Sequence, residues 1–116
     1  MKPDPEDLLE HVFDYLCAEQ AEAVAELSDG EIRRRAALAI ARAQFHGFVQ
    51  AEPITAYASL MFLVAPDFDR HPAIAKALDA ASPEPEPQRI ALLFEKTREE
   101  DWDAAAAATA GWDSVQ

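Results

Sequence analysis

Pro53 to Val64 reads PITAYASLMFLV, and this stretch decides the fold. Pro53 fixes φ at a first helical position, and Pro66 disfavours the α region for the residue before it, so both ends of a helix are set. Apolar side chains cover most of the helix circumference, while Thr55 and Ser59 mark a narrow polar stripe. Because such a helix needs neighbours on most sides, we predict that it is the central helix of the fold.

Two further helices are predicted on the N-terminal side of this stretch. The first runs from Pro5 to about Leu27, and Gln20 interrupts its apolar stripe. The second follows a capping box, in which the Ser28 side chain accepts the Glu31 amide and Glu31 reaches back. It ends at Gly47, where two aromatic side chains are expected to clamp the turn onto the core, Phe45 and Phe48.

Two more helices and a connector are predicted on the C-terminal side. Pro72 opens a short helix that ends near Ala81. Alternating prolines make residues 82–87 an extended connector, and the last helix then reaches Ala108. Residues 112–116 are a tail and a candidate for disorder. The sequence therefore predicts one all-α domain over residues 1–116, an irregular bundle of about five helices.

The charge balance restricts the class of partner. The chain carries 22 Asp and Glu against 10 Lys and Arg, a formal net charge of −12. Phosphate backbones and anionic lipid headgroups repel such a chain, so we expect neither nucleic acid nor a membrane as partner. With no signal-peptide pattern and no apolar run approaching a membrane span, a soluble cytoplasmic protein is expected. Whether the chain is a monomer or a homodimer stays open.

Four arginines form the one basic patch, Arg33, Arg34, Arg35 and Arg42. They are candidates to grip a phosphate or an acidic partner. The alternative is internal pairing with carboxylates of the first or last helix, which we favour because the chain has many acids to spare.

The exit loop after the central helix contains Asp67, Asp69 and His71 at alternate positions. Two carboxylates and an imidazole are ligand types for a divalent cation, but the further ligands and the glycine of a calcium loop are missing. Helix and turn capping is the simpler interpretation. No metal and no cofactor is therefore predicted, and the loop is instead a candidate partner-binding feature exposed beside the central helix.

Catalytic residues are not identifiable in the sequence, so we predict that the chain is not an enzyme. His11 and His46 stand in no spacing that would activate Cys17 as a nucleophile, and Cys17 is expected to be a small buried or half-buried hydrophobe. Near the C-terminus, Trp102 follows Glu99, Glu100 and Asp101, a composition typical of an exposed interface anchor. The spacing of Trp102 from Phe94 favours core packing instead.

Residues 32–78 resemble a family of small helical bacterial proteins that occur near type VI secretion genes for spike, PAAR and effector-adaptor proteins. Three segments carry the resemblance: IRRRAALAIARA at 32–43, HGFVQAEPI at 46–54 and LMFLVAPDFDRHP at 60–72. Ala51 and His71 depart from the family pattern, as does the pair Ala65-Pro66. The resemblance implies a common fold and a secretion setting, and it transfers no catalytic residue.

The expected function is a non-enzymatic protein-binding module, an adaptor or chaperone for a secretion effector or spike component. The alternative is an acidic immunity protein that covers the basic site of a toxin. A small enzyme or metal-binding protein is the weakest of the three hypotheses. Candidate partner-binding residues are Arg33, Arg34, Arg35, Arg42, Asp67, Asp69, Glu99, Glu100, Asp101 and Trp102.

Overall fold

The computed structural model describes residues 4–115, and within this range the chain is helical with no strand. Seven α-helices are present rather than about five, with short 3-10 helices at Phe68–Arg70 and Trp112–Ser114. In chain order they are α1 Pro5–Glu19, α2 Ala21–Val24, α3 Asp29–Phe45, α4 Ala51–Leu63, α5 Pro72–Ala81, α6 Glu86–Glu95 and α7 Glu99–Ala107. The all-α prediction is confirmed.

Both additional helices arise where one long helix was expected. Gln20 leaves helical geometry at φ −125° and ψ 39°, which ends α1 and starts the short α2. Near the C-terminus, the Asp101 carboxylate accepts the Arg98 amide at 2.9 Å and caps α7. Such a cap satisfies an amide that a continuous helix would pair internally, so it stabilises a new helix start at this position.

The central position of α4 agrees with the prediction, because α4 packs against α1, α3 and α6 and most of its residues are buried. Its polar stripe is also buried. The Thr55 hydroxyl donates to the Ala51 carbonyl at 2.7 Å and the Ser59 hydroxyl to the Thr55 carbonyl at 2.9 Å, so both are satisfied within the helix. Leu63, expected on the apolar face, is exposed instead.

The residues predicted to mark the start and the end of α3 do so in part. The Ser28 hydroxyl accepts the Glu31 amide at 3.1 Å where α3 begins, although the Glu31 side chain is taken up by arginines. Gly47 has φ +89°, a conformation that favours glycine, directly after α3. Phe48 is buried as expected, but Phe45 points outward and is 72 % exposed.

The Pro-rich connector is shorter than predicted, because α6 already begins at Glu86. Glu86 is buried, and its Oε1 accepts the amides of Val49 and Gln50 at 2.6 and 2.7 Å. A residue predicted to lie in an exposed linker thus anchors the loop that leads into α4.

The described part of the C-terminal segment packs on the core. The Trp112 ring lies 4.9 Å from the ring centroid of Phe62, and Val115 is buried. Asp67 accepts from Thr109 and Ala110, and Arg70 donates to the Ser114 carbonyl at 2.9 Å. Residues 112–115 are therefore held against the fold, while Gln116 lies outside the described residues.

We predict that Glu86→Ala lowers the free energy of unfolding by about 1–3 kcal/mol, because two amides lose their acceptor inside the protein. Urea denaturation followed by far-UV circular dichroism measures the change. Glu84→Ala is the matched control, since the Glu84 side chain is exposed in the turn before α6. Equal stability of the two variants would contradict an anchoring role for Glu86.

Candidate functional site

A buried carboxylate joins three helical elements near the C-terminal end of α3. The Asp69 side chain is 1 % exposed, and its Oδ2 accepts hydrogen bonds from three donors. Arg42 donates through Nε, His46 through Nε2 at 2.7 Å and Tyr57 through its hydroxyl at 3.1 Å. We call these four residues the Asp69 cluster. Because its donors come from α3 and α4, the cluster ties both helices to the exit loop.

The electrostatics of the cluster favour an ionised Asp69. Burial alone would raise the pKa of Asp69, but hydrogen bonds from His46 and Arg42 and the Arg42 charge outweigh it and hold that pKa below its usual range. Burial, and then the charge of Asp69, raise the pKa of Tyr57 well above its usual range. Tyr57 therefore stays protonated and available as a donor.

The loop residues considered as cation ligands diverge. Asp67 Oδ1 accepts from the Thr109 hydroxyl at 2.5 Å, and Asp67 Oδ2 accepts the Ala110 amide at 2.9 Å. Asp69 turns into the core, where its Oδ1 has no hydrogen-bond partner, as is also true of the buried Nδ1 of His71. Within residues 4–115, no three His, Cys, Asp or Glu side chains are placed to hold a metal ion. The expectation that this loop is an exposed partner-binding feature is wrong for Asp69.

All four arginines of the basic patch pair inside the chain. Arg33 makes a bidentate contact with Glu10 of α1 at 3.0 and 3.1 Å. Arg34 and Arg35 both bind Glu31 on their own helix, and these hydrogen bonds lower the pKa of Glu31 to about 2. Arg42 belongs to the Asp69 cluster. Only Arg33 therefore pairs with the first helix, as favoured, and none of the four pairs with the last.

The acidic segment around Trp102 divides into structural and exposed residues. Trp102 is half-buried, and its ring centroid lies 5.4 Å from those of Phe68 and of Phe94. Its Nε1 donates a hydrogen bond to the Thr97 hydroxyl. Asp101 caps α7, whereas Glu99 and Glu100 are exposed and make no ion pair within the described residues. Glu99, Glu100 and the equally exposed Asp103 are therefore available to a partner.

In the part of the chain that the structure describes, no hydrogen bond joins a hydroxyl or thiol group to a histidine. Cys17 is exposed on α1, contrary to the expectation of burial, and it lies on a different helix from His46. Ser82 lines a small pocket of about 280 Å³ together with His46, but no hydrogen bond joins them. The His46 and Asp69 pair is therefore explained by its role in helix packing.

A second feature is an open, mostly apolar groove between the start of α1 and the C-terminal half of α3. Its volume is about 780 Å³. We call it the α1/α3 groove, and its lining residues are Asp4, Pro5, Glu6, Leu8, Leu9, Ala37, Ile40, Ala41 and Gln44.

Two features, the hydrogen bond of Tyr57 to Asp69 and the α1/α3 groove, were not predicted from the sequence, for different reasons. Tyr57 lies among the apolar residues of the central helix and was expected in the core because of its spacing. A buried phenol needs a hydrogen-bond partner, and this need could have indicated a nearby polar group such as Asp69. The α1/α3 groove left no such signal. Leu8 and Ile40 occupy ordinary core positions, and a sequence pattern does not tell which helix face stays uncovered.

Comparison with known proteins gives no assignment. The chain matches no protein-family model, no curated protein and no solved structure. The resemblance of residues 32–78 to a secretion-associated family therefore stays an expectation. Of the helices within residues 4–115, none combines the length and apolar composition that crossing a bilayer would take.

We predict that Tyr57→Phe lowers the free energy of unfolding by about 1 kcal/mol, because it removes one donor to Asp69 while keeping the ring. Chemical denaturation measures the loss. Tyr15→Phe is the matched control, since Tyr15 lies at the surface of α1 and its hydroxyl makes no hydrogen bond within the described residues. Equal effects of the two changes would show that the Tyr57 hydroxyl adds no stability.

The lowered pKa of Asp69 predicts a defined pH dependence. An ionised form favoured by the fold contributes stability above the unfolded pKa, which is near 3.8, and this contribution is lost as pH falls through the folded pKa. The stability difference between the wild type and Asp69→Asn should therefore shrink from about pH 5 to about pH 2.5. Other carboxylates titrate in both proteins and cancel in the difference. A constant difference over that range would contradict the assignment.

Proposed function

We propose that this chain is a non-enzymatic protein-binding module, an effector-associated adaptor or chaperone in a bacterial type VI secretion setting. The secretion setting is taken from the resemblance of residues 32–78. The binding role is supported mainly by Phe45, a large aromatic side chain that is 72 % exposed at the end of α3. Aromatic side chains of this kind are frequent energetic centres of protein interfaces.

Phe45 is exposed but not loosely held. The Arg42 guanidinium lies 4.7 Å from the ring centroid, and the His46 ring meets it edge-on at 5.3 Å. Both neighbours are fixed in turn by their hydrogen bonds to Asp69. A side chain held in one place loses less conformational entropy when a partner binds, which favours affinity.

The surroundings of Phe45 also suit a protein partner. Val49 follows in the turn before α4 and is 46 % exposed, so it adds apolar surface near the same helix end. The net charge of −12 favours partners with basic surfaces, because opposite charges speed association. A basic effector segment or spike component fits this description.

The immunity-protein alternative is supported by a different surface. Glu99 and Glu100 are exposed at the start of α7, and the carboxylates of Asp7 and Asp14 are exposed on α1. Exposed acids on two helices suit a protein that covers the cationic site of a toxin. In that case binding depends on these charges rather than on Phe45.

A small enzyme has the least support among the three hypotheses. Among residues 4–115, no side-chain hydrogen bond joins a hydroxyl or thiol nucleophile to a histidine base. The polar groups that do converge are those of the Asp69 cluster, where the three donors all bind Asp69 Oδ2.

Co-expression with the toxins and secretion effectors of the native cell separates the two binding roles. An immunity protein restores growth of cells that make the toxin, whereas an adaptor raises the yield of the effector or its loading on the spike without restoring growth. Affinity capture of the tagged full chain from its native cells then identifies the partner. Recovery of no specific protein would count against both roles.

We predict that Phe45→Ala weakens recovery of the captured partner at least about tenfold, because it removes an exposed, ordered aromatic contact. Stability should change by less than about 0.5 kcal/mol, since Phe45 lies at the surface. Leu63→Ala is the matched control, another exposed large apolar side chain, at the end of α4. Unchanged capture by the Phe45 variant, with Glu99→Lys and Glu100→Lys abolishing it, would favour the immunity role instead.

A further inference from the structure

The α1/α3 groove is a cleft with an apolar floor. Leu8 and Ile40 form its base and are 2 % and 8 % exposed, and Leu9 packs partly buried beside them. A volume of about 780 Å³ lies within the range of sites that enclose a sizeable ligand segment.

The α3 wall of the groove is made of short side chains. Ala37 and Ala41 lie one helical turn apart, and both are exposed. Small side chains on one helix let the backbone of a second helix approach closely. The shape of the cleft therefore suits a helix lying along α3 and against the start of α1.

The charges at the groove have one sign. Asp4 and Glu6 are its charged lining residues and both are exposed, and no Lys or Arg of the described range, residues 4–115, lines it. Two arginines of α3 lie close to the groove in sequence, and both are bound elsewhere: Arg42, next to Ala41, is bound to Asp69, and Arg33, one turn before Ala37, is bound to Glu10. Over residues 4–115, the rim of the groove is therefore negative.

This charge pattern discriminates between possible occupants. A second copy would bring another net charge of −12 and a second acidic rim, so self-association through the groove is opposed by like charges. A segment with Lys or Arg beside its apolar residues gains both apolar burial and attraction to Asp4 and Glu6.

We propose that the α1/α3 groove binds an amphipathic helix of the partner protein, with its apolar face on Leu8, Ile40 and Ala41 and its basic flank beside Asp4 and Glu6. This inference rests on the proposed binding function and specifies the part of the partner that is bound. It is independent of Phe45, which does not line the groove.

The test places a benzophenone photo-crosslinker at position 41 of the full chain in place of Ala41, inside native cells. The crosslinked peptide is then identified by mass spectrometry. The proposal expects a peptide of another protein with apolar residues at i, i+3 or i+4 and i+7 and with Lys or Arg beside them. A crosslink to a second copy of this chain, to an acidic segment or to an extended segment would overturn it, as would the absence of any crosslink.

Two substitutions test the same groove by capture of that partner. Ala41→Arg adds bulk and the wrong charge, and we expect recovery to fall at least about tenfold. Glu6→Lys should weaken recovery several-fold and reduce its sensitivity to salt. The matched controls lie on exposed positions of α7 outside the groove, Ala106→Arg and Asp103→Lys, and they should bind as the wild type does.

The outcomes separate this inference from the proposed function. Capture that is lost in Phe45→Ala but unchanged in Ala41→Arg and Glu6→Lys rejects the groove and keeps the binding role. No specific capture by the wild type rejects both. Circular dichroism checks that each variant is folded. Because every substituted position is exposed, we expect folding to be retained.

Discussion

The ion pair between Arg42 and Asp69 is the contact on which the packing of α3, α4 and the exit loop depends. A carboxylate that is 1 % exposed is costly to bury, and here its charge is compensated by a guanidinium and by two further donors on the same oxygen. Loss of Arg42 would leave the buried negative charge of Asp69 without its compensating positive charge. The geometry therefore fixes how these elements pack together as well as how stable they are.

This cluster also links the interior to the surface. Arg42 and His46 each use one side of the side chain for Asp69 and lie against the exposed ring of Phe45 with the other. An acid in the core thus determines where an aromatic group stands in solvent. The α1/α3 groove has a different origin, since its α3 wall is made of the short side chains of Ala37 and Ala41.

Several helix boundaries of the fold could be predicted from capping and helix-breaking residues in the sequence. Ser28, Gly47 and Pro72 mark boundaries of α3 and α5 that the structure reproduces, because each residue acts through local geometry. The break at Lys96–Arg98 could not be read in this way. Alanine-rich and charged residues on both sides favour helix, and only the contact of Asp101 with the Arg98 amide decides the outcome.

The candidate sites were predicted less well because they depend on long-range contacts. Asp69 stands in a polar loop and was expected at the surface, yet it is buried by partners 27, 23 and 12 residues away in sequence. Of the four arginines expected to pair with the first or last helix, only Arg33 does so, while the others bind Glu31 and Asp69. Glu31, which binds two of them, was assigned only to capping, since one carboxylate has several possible local partners.

Glu86 has a consequence for the order in which the chain assembles during synthesis. Its carboxylate holds the amides of Val49 and Gln50 from 37 and 36 residues further along. A nascent chain that stops before residue 86 contains all of α4 but lacks the acceptor that fixes its entry. The entry into α4 therefore stays incompletely anchored until the start of α6, which carries Glu86, has left the ribosome.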